Sequence, residues 1–190
     1  QNKPASDLET RRDELTLQCD ALESAKKAWS LRMGHIEAIQ RQVVSAKDIA
    51  DRVRQSFERR YSLHTLDLSV EPENLTLQCD RVSIQTCLRE MLENAGKFSD
   101  RGTKVTLRIW REGDSVYISV RSKGRLPADA ERRAGELYWR APEHESIGGT
   151  GLGLWNVDAL TKAHNGKTTL KEDGETEEVE NLITLPYRNG

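Results

Sequence analysis

Two stretches of this 190-residue chain combine residue types that can hold a phosphate group. In residues 147–154, four glycines fall within six positions, directly ahead of an apolar helical pattern. Glycine has no Cβ, so its N–H groups can approach a ligand closely, and the N-terminus of a helix attracts anions. A flexible turn ahead of a helix would also explain an isolated glycine cluster. A second stretch, upstream in the chain, favours the anion site.

The second stretch, residues 90–99, reads Glu-Met-Leu-Glu-Asn-Ala-Gly-Lys-Phe-Ser. Glu90, Asn94 and Lys97 stand at positions i, i+4 and i+7, so they share one face of a predicted helix. An ordinary amphipathic helix would explain the apolar residues but not this polar triplet. The spacing therefore indicates a site that combines a carboxylate, an amide and an ammonium group.

Composition limits the classes of protein to consider. Charged residues make up 32% of the chain, apolar residues 36%, and the net charge is −2. This balance implies no general affinity for polyanions, so we expect no nucleic-acid partner. No apolar run approaches the ~20 residues of a membrane span, and residues 1–7 are too polar for a signal peptide. We expect a cytoplasmic protein, with any membrane anchor outside this sequence.

The cysteines follow no metal-binding pattern. Cys19, Cys79 and Cys87 are odd in number and widely spaced. We therefore expect reduced thiols, with a regulatory role for Cys19 as an alternative.

A long helix is predicted over residues 5 to about 55. Apolar residues recur at intervals of seven, at Leu8, Leu15, Leu22, Trp29, Ile36 and Val43. Such a helix is too long to be buried on one small domain. It is typical of a dimerising helix or an antiparallel hairpin, and a surface helix packed within one chain is the alternative. We place the domain boundary between this helix, residues 1–42, and a globular domain, residues 43–190.

The globular part alternates strands and helices. Strands are predicted at 65–70, 75–79, 104–111, 115–121, 167–171 and 181–186, and helices at 81–97, 128–140 and 152–164. The loop at 172–180 is acidic and is interpreted as a solvated turn. Strands on one side and helices on the other predict an α+β fold, a two-layer sandwich. The hexapeptide Leu-Thr-Leu-Gln-Cys-Asp occurs at 15–20 and again at 75–80, and we predict helix at the first and strand at the second.

This order of elements and these motifs resemble the ATP-binding domain of sensor histidine kinases. That domain belongs to the superfamily of gyrase, the heat-shock chaperone ATPases and the mismatch-repair ATPases, and the resemblance covers about residues 43–188. Residues 90–99 are similar to the family's N-box. The resemblance implies that Asn94 coordinates Mg²⁺, that Lys97 lies near the phosphates of ATP, and that Glu90 assists catalysis.

Two further segments carry the resemblance. Residues 148–153 are similar to the family's second glycine box, which implies contacts to ATP from Gly149, Thr150, Gly151, Leu152 and Gly153. Residues 136–140, Glu-Leu-Tyr-Trp-Arg, are similar to the aromatic box ahead of the ATP lid. The resemblance places Arg140 in the nucleotide site and makes 141–147 a short lid.

The first glycine box departs from the family pattern Asp-x-Gly-x-Gly. Ser122 stands where an Asp would bind the adenine amino group, Gly124 matches the first glycine, and the second is missing. The loss of such a hydrogen bond is expected to cost about 1.5–3 kcal/mol. Arg121, Lys123 and Arg125 make the same loop basic, and they are either solvated or in contact with a partner or with the phosphates.

The phosphoacceptor histidine of the family is not apparent. His35 lacks the Arg and Pro that follow the family histidine, and it lies only 59 positions before Asn94. We therefore do not assign the phosphoacceptor role to His35.

Three functions remain open. The first is the catalytic and ATP-binding region of a sensor histidine kinase, which transfers the γ-phosphoryl of ATP to a histidine. The second is a pseudokinase of the same fold that regulates a partner kinase or a response regulator, which Ser122 favours. The third is a serine-directed anti-sigma kinase, which does not explain the long helix. The first two imply a homodimer through residues 5–42.

Overall fold

The computed structural model describes residues 11, 12, 15, 19, 22, 26, 29, 30, 39–137, 139, 141 and 151–187. Within this part of the chain, the strands are β1 (Gln42–Ser45), β2 (Thr65–Glu71), β3 (Thr76–Cys79), β4 (Lys104–Glu112), β5 (Ser115–Lys123), β6 (Lys167–Asp173) and β7 (Glu178–Pro186). The helices that follow residue 45 are α1 (Ala46–Arg60), α2 (Arg81–Phe98), α3 (Ala130–Arg133) and α4 (Gly153–Ala163).

The described strands form a five-stranded sheet of order β2-β4-β5-β7-β6 and a small sheet of β1 and β3. In the larger sheet only the β2–β4 pair is parallel. Alternate residues of β4 and β5, among them Leu107, Ile109 and Ile118, are completely buried. They form a core with Leu88 and Leu92 of α2. Helices on one face of the sheet give the two-layer α+β sandwich that the alternation of strands predicted.

Local sequence signals determine where α1 and α2 begin. The Ser45 hydroxyl accepts a hydrogen bond from the Asp48 N–H, at 3.2 Å, and caps α1. The Asp80 carboxylate accepts one from the Ser83 N–H, at 2.9 Å, and caps α2. A side-chain oxygen at these positions satisfies an N–H that has no partner within the helix. The start of α2 agrees with the helix predicted from residue 81.

The continuous helix predicted to residue 55 is wrong, because β1 interrupts it. All described residues between 11 and 30 are helical, but residues 39–41 are irregular and Gln42–Ser45 pairs with β3. The strand buries Val44 and leaves Val43 60% exposed, whereas the seven-residue pattern had placed Val43 on the apolar seam. Backbone pairing with β3 therefore outweighs the helical pattern here.

Two smaller predictions also need correction. The helix predicted at 128–140 is limited to the four residues of α3, followed by turns. On α2, the apolar pattern of the sequence predicts that Val82 is buried, but Val82 is 38% exposed, and Cys87 takes part in the buried face. His35 lies outside the described residues. Among the helices of the described residues, none is long and apolar enough to cross a bilayer.

The described residues of the repeated hexapeptide adopt two structures, as predicted. Leu15 and Cys19 are helical and exposed, whereas Leu77 and Cys79 lie in β3 and are buried. The difference comes from the surroundings, since β3 has β1 as a pairing partner.

Candidate nucleotide-binding site

A cavity opens where the C-terminal half of α2 faces the N-terminus of α4, above the end of β5. Glu90, Asn94 and Lys97 line it from α2, and Gly151, Gly153 and Leu154 line it from the glycine segment and α4. The other lining residues are Met91, Ala95, Phe98, Val120, Ser122, Lys123, Gly124, Arg125, Leu126, Pro127, Ala130, Ala134, Trp139, Ala141, Leu170, Val179 and Asn181. The two stretches singled out in the sequence thus meet at one cavity.

Gly153 is the point of contact between these two stretches. A Cβ built on Gly153 would lie 2.6 Å from Oε2 of Glu90 and 3.9 Å from Nδ2 of Asn94. Real Cβ atoms do not approach an oxygen at 2.6 Å, so a side chain at this position would displace the Glu90 carboxylate, and glycine avoids this clash. Gly151 has a φ of 70°, a left-handed conformation that also favours glycine.

The Glu90 side chain holds a carboxylate in largely dry surroundings. Burial raises the pKa of Glu90 above its ordinary value, and the nearby charge of Glu93 raises it further. No hydrogen bond or ion pair joins Glu90 to another residue in the part of the chain that the structure describes. A carboxylate with a raised pKa and no fixed partner is suited to proton transfer.

Asn94 follows one helical turn later on the same face. Its carboxamide makes no hydrogen bond to any of the described residues. An amide oxygen is a ligand that Mg²⁺ accepts, and Mg²⁺ in phosphate sites takes one or two protein oxygens and completes its shell with water and phosphate. The oxygen donors of Asn94 and Glu90 therefore fit a magnesium ion that is held mainly by a phosphate ligand.

Lys97 is held by a neighbour on its own helix. Its ammonium donates to Oε2 of Glu93 at 3.2 Å, and Arg60 of α1 donates to the other oxygen of Glu93 at the same distance. Pairs of this i,i+4 type contribute only about 0.3–0.5 kcal/mol. Lys97 can therefore exchange Glu93 for a phosphate oxygen at little cost.

Ser122 and Gly124 line the cavity where β5 ends. Ser122 is 8% exposed and pairs across the sheet with Val105 and Val179. A Cβ on Gly124 would lie 3.3 Å from the Phe98 carbonyl oxygen, and the φ of Gly124 is 152°. Gly124, which matches the first glycine box, therefore lies where the backbone passes close to the end of α2.

The basic residues of this loop are paired with the acidic β6–β7 hairpin. Arg121 contacts Glu180 at 2.9 Å, while Arg125 and Lys123 contact Glu177 at 2.7 and 3.4 Å. The Glu172 carboxylate accepts a hydrogen bond from the Leu126 N–H at 2.8 Å. Since β6 and β7 extend into the predicted loop, the acidic turn is short and its charges hold the 121–126 segment in place.

The aromatic segment contributes Trp139, which lines the cavity and lies under the Arg133 guanidinium at 5.7 Å. Of the predicted ATP contacts, Arg140, Gly149 and Thr150 lie outside the described residues, as does most of the 141–147 lid. Leu152 is the N-cap residue of α4, and Leu154, which was not predicted, lines the cavity.

Comparison with known families decides the identity of this fold. Residues 79–189, more than half of the chain, match the family described as histidine kinase-, DNA gyrase B- and HSP90-like ATPase. The chain belongs to this ATPase family. The matched range includes α2, the glycine segment and the four strands β4 to β7, and residues of β5, β6 and β7 line the cavity.

Relatives of this ATPase domain are sensor proteins. The sensor protein BasS of Escherichia coli is 32% identical over 113 residues, which cover 59% of this chain and 30% of BasS. The mycobacterial sensor histidine kinase MprB is structurally similar, with a TM-score of 0.69, 22% identity, and coverage of 80% of this chain and 100% of that chain. The chain spans less than a third of BasS, so the match concerns the ATPase domain.

Two further structures, both of longer proteins, contain a region with the same fold as this chain. Full-length ShkA in complex with AMPPNP has a TM-score of 0.71 at 20% identity, over 96% of this chain and 39% of ShkA. ThkA in complex with the response regulator TrrA has a TM-score of 0.66 at 16% identity, over 99% of this chain and 53% of that chain. At identities this low, the structural similarity establishes only that the chain shares the fold of these proteins.

One polar residue of this ATPase domain escaped the sequence prediction. Asn181 of β7 lines the cavity, is 7% exposed, and has a buried Nδ2 without a hydrogen-bond partner in the described structure. The signal was available, because alternation along β7 puts Asn181 on the same face as Ile183 and Leu185, which are buried. A polar residue at an apolar position of this kind indicates a site.

Proposed function

We propose that this chain is the catalytic and ATP-binding region of a sensor histidine kinase, which transfers the γ-phosphoryl of ATP to a histidine. The observation that carries the proposal is the convergence of Glu90 and Asn94 on Gly153, at the start of α4. A carboxylate, an amide and a glycine-lined helix start meet at one cavity in a chain of this ATPase family. Phosphoryl transfer depends mainly on such positioning and charge stabilisation.

Each residue has a separate part in this proposal. Asn94 would hold Mg²⁺, which when bound neutralises charge on the phosphates. Glu90 would take or orient the proton of the accepting imidazole, and Lys97 would leave Glu93 to contact a phosphate oxygen. Leu152, the N-cap residue of α4, has an apolar side chain that cannot cap the helix, so the N-terminus of α4 would bind the phosphates together with Gly151 and Gly153.

The remaining predicted contacts complete the site. Gly149, Thr150 and Leu152 would surround the phosphates as parts of the second glycine box. Arg140 would contact them from the aromatic segment. Ser122 and Gly124 would lie next to the adenine base, since both line the cavity where β5 ends.

A homodimer through residues 5–42 is part of the proposal. Leu15, Leu22 and Trp29 are helical, seven residues apart, and 61%, 71% and 54% exposed in the single chain. Such a row of large apolar side chains is suited to a coiled coil. We further propose a response regulator as partner, as in the ThkA–TrrA complex of the same fold, and a cytoplasmic location for this domain.

The second candidate is a pseudokinase that acts as a dimeric regulatory module. It is favoured by Ser122, whose hydroxyl lacks the charge and reach of the carboxylate that the family uses for adenine. A loss of about 1.5–3 kcal/mol would weaken nucleotide binding by roughly ten- to a hundredfold. Glu90, Asn94 and Lys97, which remain on one face of α2, favour the active kinase.

Calorimetric titration of the chain and of Ser122→Asp with ATP and Mg²⁺ separates the two candidates. Micromolar binding by the unaltered chain supports the kinase and excludes the pseudokinase. No binding by the unaltered chain together with binding by Ser122→Asp excludes the active kinase. Asn94→Ala serves as the matched control, since it should abolish the Mg²⁺ dependence of binding without changing the base end of the cavity.

A further inference from the structure

The base end of the cavity contains two uncharged polar side chains, Ser122 and Asn181. The other sheet residues that line the cavity are Val120, Leu170 and Val179, which are apolar, and Lys123. The Lys123 ammonium donates to the Thr176 carbonyl at 2.8 Å and is directed to the β6–β7 hairpin.

Asn181 has no hydrogen-bonding side chain directly opposite it in the sheet. Its cross-strand partners are Val120 on β5 and Leu170 on β6, and neither side chain can form a hydrogen bond. Asn181 is more than nine-tenths buried, and its Nδ2 has no partner among the described residues. A buried donor left without an acceptor costs about 1–3 kcal/mol. A ligand in the cavity would remove this cost.

The position of Asn181 lets it serve the same ligand as Ser122. Ser122 pairs with Val179, and Asn181 lies two residues further along β7 on the same face. Diagonal neighbours of this kind are separated by about 7–8 Å. Both side chains line the cavity, so a ligand between the two positions can contact both of them.

We propose that Asn181 binds the base of the nucleotide and takes over the adenine recognition that Ser122 lacks. A carboxamide offers a donor and an acceptor side by side, which matches the ring nitrogen and the 6-amino group of adenine. Nδ2 would donate to the ring nitrogen, and Oδ1 would accept from the amino group. This inference rests on the proposed nucleotide-binding function and assigns its base specificity to a residue outside the family motifs.

The test compares Asn181→Leu with the unaltered chain in calorimetric titrations with ADP and Mg²⁺. We expect about tenfold weaker binding, because the variant lacks the hydrogen bonds to the base. Asn156→Leu is the matched control. Asn156 is also buried, at 5% exposure, with an unpartnered Oδ1, but it does not line the cavity. Its substitution should leave the affinity unchanged.

Analogues of ADP identify the contact. The analogues 1-deaza-ADP and 7-deaza-ADP each lack one ring-nitrogen acceptor of adenine. One of them should bind the unaltered chain about tenfold more weakly than ADP. The same analogue should bind Asn181→Leu as tightly as ADP does. Thermal unfolding without ligand checks that Asn181→Leu is folded, and removal of the unpaired amide should leave it at least as stable as the unaltered chain.

The outcomes distinguish this inference from the function on which it rests. If the unaltered chain binds ADP and Asn181→Leu binds it equally well, the role of Asn181 is refuted and the nucleotide site stands. Equal losses with the analogues in both proteins also refute it. If the unaltered chain binds neither ATP nor ADP, the proposed function falls, and the role of Asn181 falls with it.

Discussion

Replacement of Glu90 by Gln should stabilise the protein at neutral pH. The Glu90 carboxylate is largely buried at the start of α4 and has no hydrogen bond or ion pair to the described residues. An unsatisfied buried charged acceptor costs about 1–3 kcal/mol. The dipole of α4 offsets about 0.3–1 kcal/mol of this cost, because the carboxylate lies near the helix N-terminus. An uncharged amide is easier to bury, so the net gain should be about 1 kcal/mol.

The gain should depend on pH in a defined direction. Burial raises the pKa of Glu90 above its ordinary value of 4.5. The native state therefore favours the neutral acid, and the stability that this provides is complete below pH 4.5 and is lost as the pH rises through the raised pKa. Glu90→Gln and the unaltered chain should thus have similar stability near pH 4.5 and diverge toward pH 7.5.

Urea and thermal unfolding between pH 4.5 and 7.5 measure this difference. A gain of 1 kcal/mol corresponds to roughly 2–4 °C in Tm for a chain of this size. Glu93→Gln, on the same helix, is the matched control and should be slightly destabilised, because Glu93 pairs with Arg60 and Lys97. A Glu90→Gln protein that is less stable at pH 7.5, or whose gain is the same at every pH, would refute the reasoning.

Two further predictions concern packing and thiol chemistry. Gly96→Ala should destabilise the protein by about 1–2 kcal/mol, because the alanine Cβ would lie 2.6 Å from the Tyr61 ring. The cost of this overpacking exceeds the gain in helix propensity, which is at most about 1 kcal/mol. Urea unfolding measures the effect, and Gly174→Ala, with no atom within 4 Å, is the control; equal stability of the two variants would contradict the prediction. At pH 8, a thiol reagent should modify one of the three cysteines rapidly, because Cys19 is exposed while burial raises the pKa of each of the two others to about 12. In denaturant, the remaining two thiols should also react rapidly. Rapid modification of more than one thiol in the native protein would contradict the burial of Cys79 and Cys87.

Periodicity and capping residues were sufficient to predict most elements. The start of α2, the alternation of β4 and β5, and the shared face of Glu90, Asn94 and Lys97 all follow from neighbours in the sequence. These features are local, because helix and strand periods act over a few residues.

The errors arose where distant segments pair. The seven-residue pattern continued through Val43, yet β1 forms there because β3 offers a partner strand from more than thirty residues away. The basic loop at 121–125 left several interpretations open until the β6–β7 hairpin provided Glu177 and Glu180. Strand pairing and ion pairs between distant segments leave no local period in the sequence.

The sequence by itself determined which side chains could act on a nucleotide, since residue types and helical spacing put a carboxylate, an amide and an ammonium group on one face of α2. The tertiary structure decided which other residues lie opposite that face of α2. The approach of Gly153 to Glu90 and the position of Asn181 in the cavity depend on how α4 and β7 pack against α2 and β5. These contacts join residues more than fifty positions apart, and only the packing of the core brings them within reach.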